Sequence, residues 1–119
     1  MNYEEFIGGI EKYWELFEQG LKKQANKSLF MFTDEFKRNV PQNEVDELLY
    51  HFCGDYIDGD RFDDHKRFGL SLPFQLTELL NDYFIRECKA EKMPQMRWAV
   101  QIFGRYYNPH DPDCSKLKA

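Results

Sequence analysis

The sequence predicts an all-α protein: about five helices in a compact bundle or short helical array, interrupted by one irregular acidic loop. Three observations lead there. Apolar residues recur at i, i+3, i+4 and i+7 through most of the chain. Prolines stand where helices can open, at Pro73 and Pro94, because proline supplies a helical φ and lacks only an N–H that the first turn leaves unpaired. The one apolar run that could form a buried strand, Ser28–Thr33, has no second strand to pair with.

Asn2 followed by Glu5 makes an N-cap with its capping-box partner. Tyr3, Phe6, Ile7, Ile10, Tyr13, Trp14, Phe17 and Leu21 then form one stripe, with Glu4, Glu11, Glu15 and Glu18 on the opposite face. Gly8-Gly9 costs this helix roughly 1–2 kcal/mol of propensity. The stripe outweighs that, since each buried Leu or Phe contributes roughly 1.5–3 kcal/mol. The pair is also where a neighbouring backbone could approach closely. Residues Gly20–Lys27 are basic and weakly periodic, whereas Ala25, Leu29, Phe32 and Phe36 keep helical spacing, so a second helix is expected from about Ala25 to Asn39. Val40-Pro41 ends it, because a residue before proline is pushed out of the α region.

Asn43 is the expected cap of a third helix, whose stripe is Val45, Leu48, Leu49, Phe52, Cys53, Tyr56 and Ile57 and whose stop is Asp58-Gly59. Residues 58–71 read as a loop of Asp, Arg and Gly with Phe62, Phe68 and Leu70 as apolar pegs. Pro73–Asn108 reads as a helical hairpin. Its first member buries Leu76, Leu79, Leu80, Tyr83, Phe84 and Cys88. Its second uses Met96, Ala99, Val100, Phe103, Tyr106 and Tyr107, leaving Trp98 and Ile102 off the stripe. Residues 109–119 form a polar tail.

At 119 residues, 42% of them hydrophobic and 17% aromatic, the chain is read as a single domain with a hydrophobic core. No apolar stretch approaches the roughly 20 residues of a membrane helix, and Met-Asn-Tyr-Glu-Glu is acidic where a signal peptide would be basic. A cytoplasmic location is expected. Cys53, Cys88 and Cys114 share no Cys-x-x-Cys spacing; the first two fall at apolar helix positions and read as small buried hydrophobes. The net charge of −5 is unevenly spread. Residues 41–66 carry eight acidic against two basic side chains, and residues 21–40 carry five basic against two acidic. That balance argues against nucleic acid, whose phosphates need a basic surface, and for a cation or a basic protein partner.

An internal echo relates Val45-x-x-Leu48-Leu49-x-x-Phe52-Cys53 to Leu76-x-x-Leu79-Leu80-x-x-Tyr83-Phe84. Val100-x-x-Phe103-Gly104-x-x-Tyr107 also resembles the opening of a tetratricopeptide helix pair over eight residues, without its tryptophan or its second helix. The chain is assigned to no family on these likenesses.

Two constellations could carry function. The first is the acidic loop, Asp55, Asp58, Asp60, Asp63 and Asp64 with His51 and His65 nearby. Clustered carboxylates suit Ca²⁺ or Mg²⁺, yet placing Gly59 at the glycine of an EF-hand puts Gly54 and Tyr56 where carboxylates belong and His65 where the closing glutamate belongs. The second is the surplus apolar character around Trp98 and Ile102: either this helix is central and buried on two sides, or it presents a second apolar face to a partner, with Arg97 beside it in a combination enriched at interface hot spots. No zinc spacing, nucleophile elbow, phosphate loop or dinucleotide fingerprint occurs, so no cofactor and no catalytic residue is assigned. The favoured function is a small acidic protein-binding module, of the inhibitor, immunity or regulatory-adaptor kind. It would dock through Asp58, Asp60, Asp63 and Asp64 or through Arg97, Trp98 and Ile102. The alternatives are a metal-dependent enzyme using the Asp/His loop 55–65 and a helical regulator that binds a small ligand.

Overall fold

A computed structural model describes residues 1–62, 72–90 and 92–103, the side chains of Cys88, Lys89 and Phe103 excepted. The protein is all-α. Among the described residues there are five α-helices, one π-helical turn and no strand: α1 (Tyr3–Glu18), α2 (Lys22–Asn39), α3 (Gln42–Cys53), the π turn (Gly54–Asp58), α4 (Phe74–Lys89) and α5 (Gln95–Phe103). The chain forms two compact units, Met1–Phe52 and Cys53–Ala119.

In the first unit, Asn2 caps α1 as its sequence predicts, its side-chain oxygen accepting the Glu5 N–H at 2.8 Å. Phe6, Ile7 and Ile10 are fully buried and Tyr13 and Trp14 nearly so. Phe17 in its last turn is exposed, and the helix ends at Glu18, before Leu21, the last residue of its stripe. Gly20 is the cause. At φ 81° it takes the left-handed conformation that glycine tolerates, its N–H bonding to the Phe17 carbonyl and the Leu21 N–H to that of Leu16, both at 3.0 Å. This pair of reversed bonds is the Schellman motif, which closes the last turn.

Helix α2 then begins at Lys22, three residues before the expected start. Lys22 and Lys23 oppose the helix dipole at that end and Leu21 offers no side-chain cap, so no local signal marks the boundary. The ambiguous Ser28–Thr33 run is helical, with Leu29 and Thr33 inside and Phe30 and Met31 outside. Val40 is extended before Pro41, as expected. Helices α1 and α2 pack as an antiparallel hairpin in which the Phe6 ring lies 5.1 Å from that of Phe36. The α3 stripe joins them, Phe52 meeting Phe6 edge-on at 6.0 Å. Asn43 is not the α3 cap. The helix starts at Gln42, two residues earlier than an Asn43 cap would place it, with the Pro41 carbonyl accepting the Glu44 and Val45 N–H groups at 3.0 Å, and Asn43 is exposed in its first turn.

In the second unit the expected stop at Asp58-Gly59 is reached through a π turn, closed by the Gly59 N–H on the Gly54 carbonyl at 2.8 Å. The wider turn keeps Tyr56 fully buried, drops Ile57 to half-burial and carries Asp58 to the surface. Phe62 is a buried peg, its ring 6.2 Å from Tyr56. Phe68 and Leu70 lie outside the described residues. Helix α4 opens on Pro73, whose carbonyl accepts the Leu76 and Thr77 N–H groups at 3.0 and 3.1 Å. Leu76, Leu79, Leu80, Tyr83 and Phe84 are buried as predicted.

Helix α5 is rotated from its predicted phase. Its core face is Gln95, Trp98 and Ala99, with Ile102 half-buried, whereas Val100, assigned inward from the sequence, is 42% exposed. Buried Gln95 donates to the Tyr83 hydroxyl at 3.2 Å and so ties α5 to α4. A polar residue in the core stripe is what the apolar pattern could not register. Tyr106, Tyr107 and the 109–119 tail lie outside the described residues. No helix among the described residues is long and apolar enough to cross a membrane.

Candidate functional site

The structure brings three of the residues singled out in the sequence together, and they engage one another. Asp58, at the end of the π turn, is gripped bidentately by Arg97 of α5, Nη1 to Oδ1 and Nη2 to Oδ2 both at 2.8 Å. The Trp98 indole N–H donates to the same carboxylate at 3.0 Å. Arg97 Nη1 also donates to Gln101 Oε1 at 3.2 Å. The Arg97 hydrogen bonds, aided by that from Trp98, hold the Asp58 carboxyl down at about 2, against partial burial that opposes the shift. The Arg97 guanidinium is raised in turn by its bond to Asp58.

Trp98 is therefore a core residue with a polar anchor. At 2% exposure it takes the first of the two places the sequence left open for it, in the core of a helix packed on more than one side. Ile102 is half-buried, and Asp60 is exposed. Asp63, Asp64 and His65 lie outside the described residues. Asp55 of the same turn faces Arg61 at 3.8 Å. Among the described residues no three His, Cys, Asp or Glu side chains converge to hold a metal ion. Cys53 is a free, fully buried thiol whose ionisation is pushed up by burial and then by the charge of Asp58, the reverse of what a nucleophile needs.

An accessible groove lies in the first unit. Along one side of the α1–α2 hairpin runs an open groove of about 530 Å³. Its apolar lining is Leu16, Met31 and Phe32, and its charged lining is Lys12, Lys27 and Glu35. Met31 is 59% exposed. The groove has depth because Gly9 lacks a side chain. A Cβ there would lie 2.5 Å from Cε2 and Cζ of Phe32, far inside carbon contact distance, so the Phe32 ring rests directly on the α1 backbone. The ring is fixed by its neighbours, Phe6 at 6.2 Å and Phe36 at 6.3 Å. The glycine pair signalled this approach in the sequence, but the visitor is an aromatic ring rather than a backbone, and only Gly9 meets it. Gly8 faces nothing within 4 Å. Lys12, Lys27 and Met31 carry no motif and could not be picked out beforehand.

A smaller, more polar hollow of about 420 Å³ is lined by Tyr3, Glu44, Glu47 and His51. Tyr3 and His51 stack across it with ring centroids 3.6 Å apart and planes 9° from parallel. This contact secures the first turn of α1 to α3.

Comparison of the chain with protein-family models, curated proteins and solved structures gives no match.

Proposed function

We propose that the protein is a binding module that acts by docking another protein, as an inhibitor or regulatory adaptor does, and that the α1–α2 groove is its contact surface. One observation carries this reading: a concave apolar strip of Leu16, Met31 and Phe32 remains open to solvent along the α1–α2 hairpin. Met31 is 59% exposed while the buried residues of α2 on its inner side, Ala25, Leu29 and Phe36, are fully covered. A flexible, polarisable methionine over an aromatic floor is suited to accept a partner's side chains. The acidic block supports docking less well, because Asp58 already spends both carboxylate oxygens on Arg97 and Trp98.

The test is a photo-crosslinking pair. A benzophenone side chain replaces Met31 in one variant and exposed Asn43 in another, and each is irradiated in extract of the source cells. A discrete protein adduct from position 31, absent from position 43 and lost with Gly9→Leu, is expected. Identical adducts from both positions, or none from position 31, would overturn the groove as the contact surface.

A further inference from the structure

We infer that the groove takes an acidic amphipathic helix: an apolar stripe that enters between α1 and α2, flanked by carboxylates that meet Lys12 and Lys27. The inference rests on the docking reading above and names its partner by chemistry.

Charge is the first argument. The chain carries −5 overall, and α1 has five carboxylates against the single cation Lys12. At about 100° per residue, Glu4, Glu11, Glu15 and Glu18 cluster on one side of α1, whereas Gly9, Lys12 and Leu16 cluster roughly 120° away. Four of the five carboxylates thus point away from the groove and the one cation points along it, while Glu5, one turn before Gly9, falls on the groove side of the helix without lining the groove. On α2 the lining residues add Lys27 and Glu35, so the groove is lined by two cations and one anion on an acidic protein. Neither lysine is held in an ion pair among the described residues. They keep their charge for an incoming group, and an acidic partner is selected while a basic one is repelled.

Shape is the second argument. The α2 lining runs from Gln24 to Glu35, which at 1.5 Å per residue is about 16 Å, or three helical turns. A helix laid along a two-helix hairpin buries its own i, i+3, i+4, i+7 stripe, the helix-in-groove mode of recognition. Polar Gln24 and Ser28 near one end and Glu35 at the other bound the apolar middle.

The experiment uses the full chain and two synthetic helices of equal length, hydrocarbon-stapled so that helicity does not limit them. They share one apolar stripe, and their flanks are all Glu in one and all Lys in the other. Fluorescence anisotropy is expected to show binding of the Glu helix only, weakening with added salt. Lys12→Glu with Lys27→Glu should lose about tenfold, the scale of two exposed ion pairs, and begin to bind the Lys helix. Both lysines are exposed, so an unchanged circular dichroism melt will certify the fold of that variant. Equal binding of both helices, preference for the Lys helix, or indifference to the two reversals would each overturn the inference. The docking reading fails separately: it falls when the position-31 crosslinker gives no specific adduct, whatever the peptides do. Binding of neither helix alongside a specific adduct rejects the acidic helix alone.

Discussion

The Gly8-Gly9 pair gives the sharpest test of the packing that makes the groove. Both glycines lie inside α1, and neither has a positive φ, so alanine is conformationally acceptable at each. Alanine should gain roughly 1 kcal/mol of helix propensity at either position. At Gly8 nothing opposes that gain, because the added Cβ meets no atom within 4 Å. At Gly9 it would lie 2.5 Å from two Phe32 ring atoms and 2.7 Å from a third. Ordinary carbon contact is about 3.5–4.0 Å, so the ring must retreat by about 1 Å or more. Its stacking neighbours, Phe6 and Phe36, resist that movement, and overpacking of this kind costs about 1–3 kcal/mol. Gly8→Ala is therefore expected to stabilise by about 1 kcal/mol, and Gly9→Ala to lie between neutral and about 2 kcal/mol destabilising. Urea unfolding followed by circular dichroism, with m held common, measures both. Adding Phe32→Leu closes a double-mutant cycle in which the Gly9→Ala penalty should shrink by about 1 kcal/mol or more. Equal stabilisation by both alanines, or a cycle with no coupling, would show that Phe32 does not rest on Gly9 and would remove the floor of the groove.

Three further expectations follow from the second unit. Trp98→Ala should destabilise by about 3–5 kcal/mol as a buried aromatic truncation; Trp98→Phe should cost far less, and equal melting temperatures for wild type and Trp98→Ala would refute its burial. Asp58→Asn should cost up to roughly 1 kcal/mol at neutral pH, the range for a solvent-exposed pair rather than the full value of its shift. Because the folded Asp58 carboxyl is depressed to about 2 from an ordinary 3.8, its contribution is complete above about pH 4 and is lost as pH falls toward 2. The Asn variant should therefore show a shallower stability loss across that window, and parallel acid titrations would count against the latch. Buried Cys53 should resist iodoacetamide in the folded chain and react once denaturant unfolds it, read by peptide mass spectrometry; prompt native labelling would contradict its burial.

Periodicity made the helices legible, because an apolar stripe reports a buried face without reference to the partner that buries it. Phe6, Ile7 and Ile10, or Leu76, Leu79 and Leu80, could be placed inward on that ground alone. The phase of α5 could not. Nine residues rich in apolar side chains admit more than one inward face, and the deciding features were a buried Gln95 and an indole anchored on Asp58, a partner forty residues away. The end of α1 was misread for a different reason. Leu21 continues the stripe, but the left-handed Gly20 stops the helix at Glu18, before reaching it. At the candidate site, composition drew attention to carboxylates and to Trp98. It could not show that Asp58, Arg97 and Trp98 satisfy one another. The groove escaped notice because a concavity is made by what two helices leave out. Only the second glycine of an unexplained pair hinted at it.

The π turn has a consequence for how the second unit tolerates change in chain length. Gly54–Asp58 accommodates one more residue than an α-helical turn would, so the chain already contains the equivalent of a single insertion at that point. Deleting Asp55 lets an ordinary α-helical turn close in its place and moves Asp58 by about 100° around the axis of that turn. Asp58 then turns away from Arg97 and Trp98. The segment thus sets the angular position of Asp58. A one-residue deletion there should disturb the Asp58–Arg97–Trp98 contact more than the same deletion at the exposed Gln19–Gly20 connection, a difference visible in the near-ultraviolet signal of Trp98.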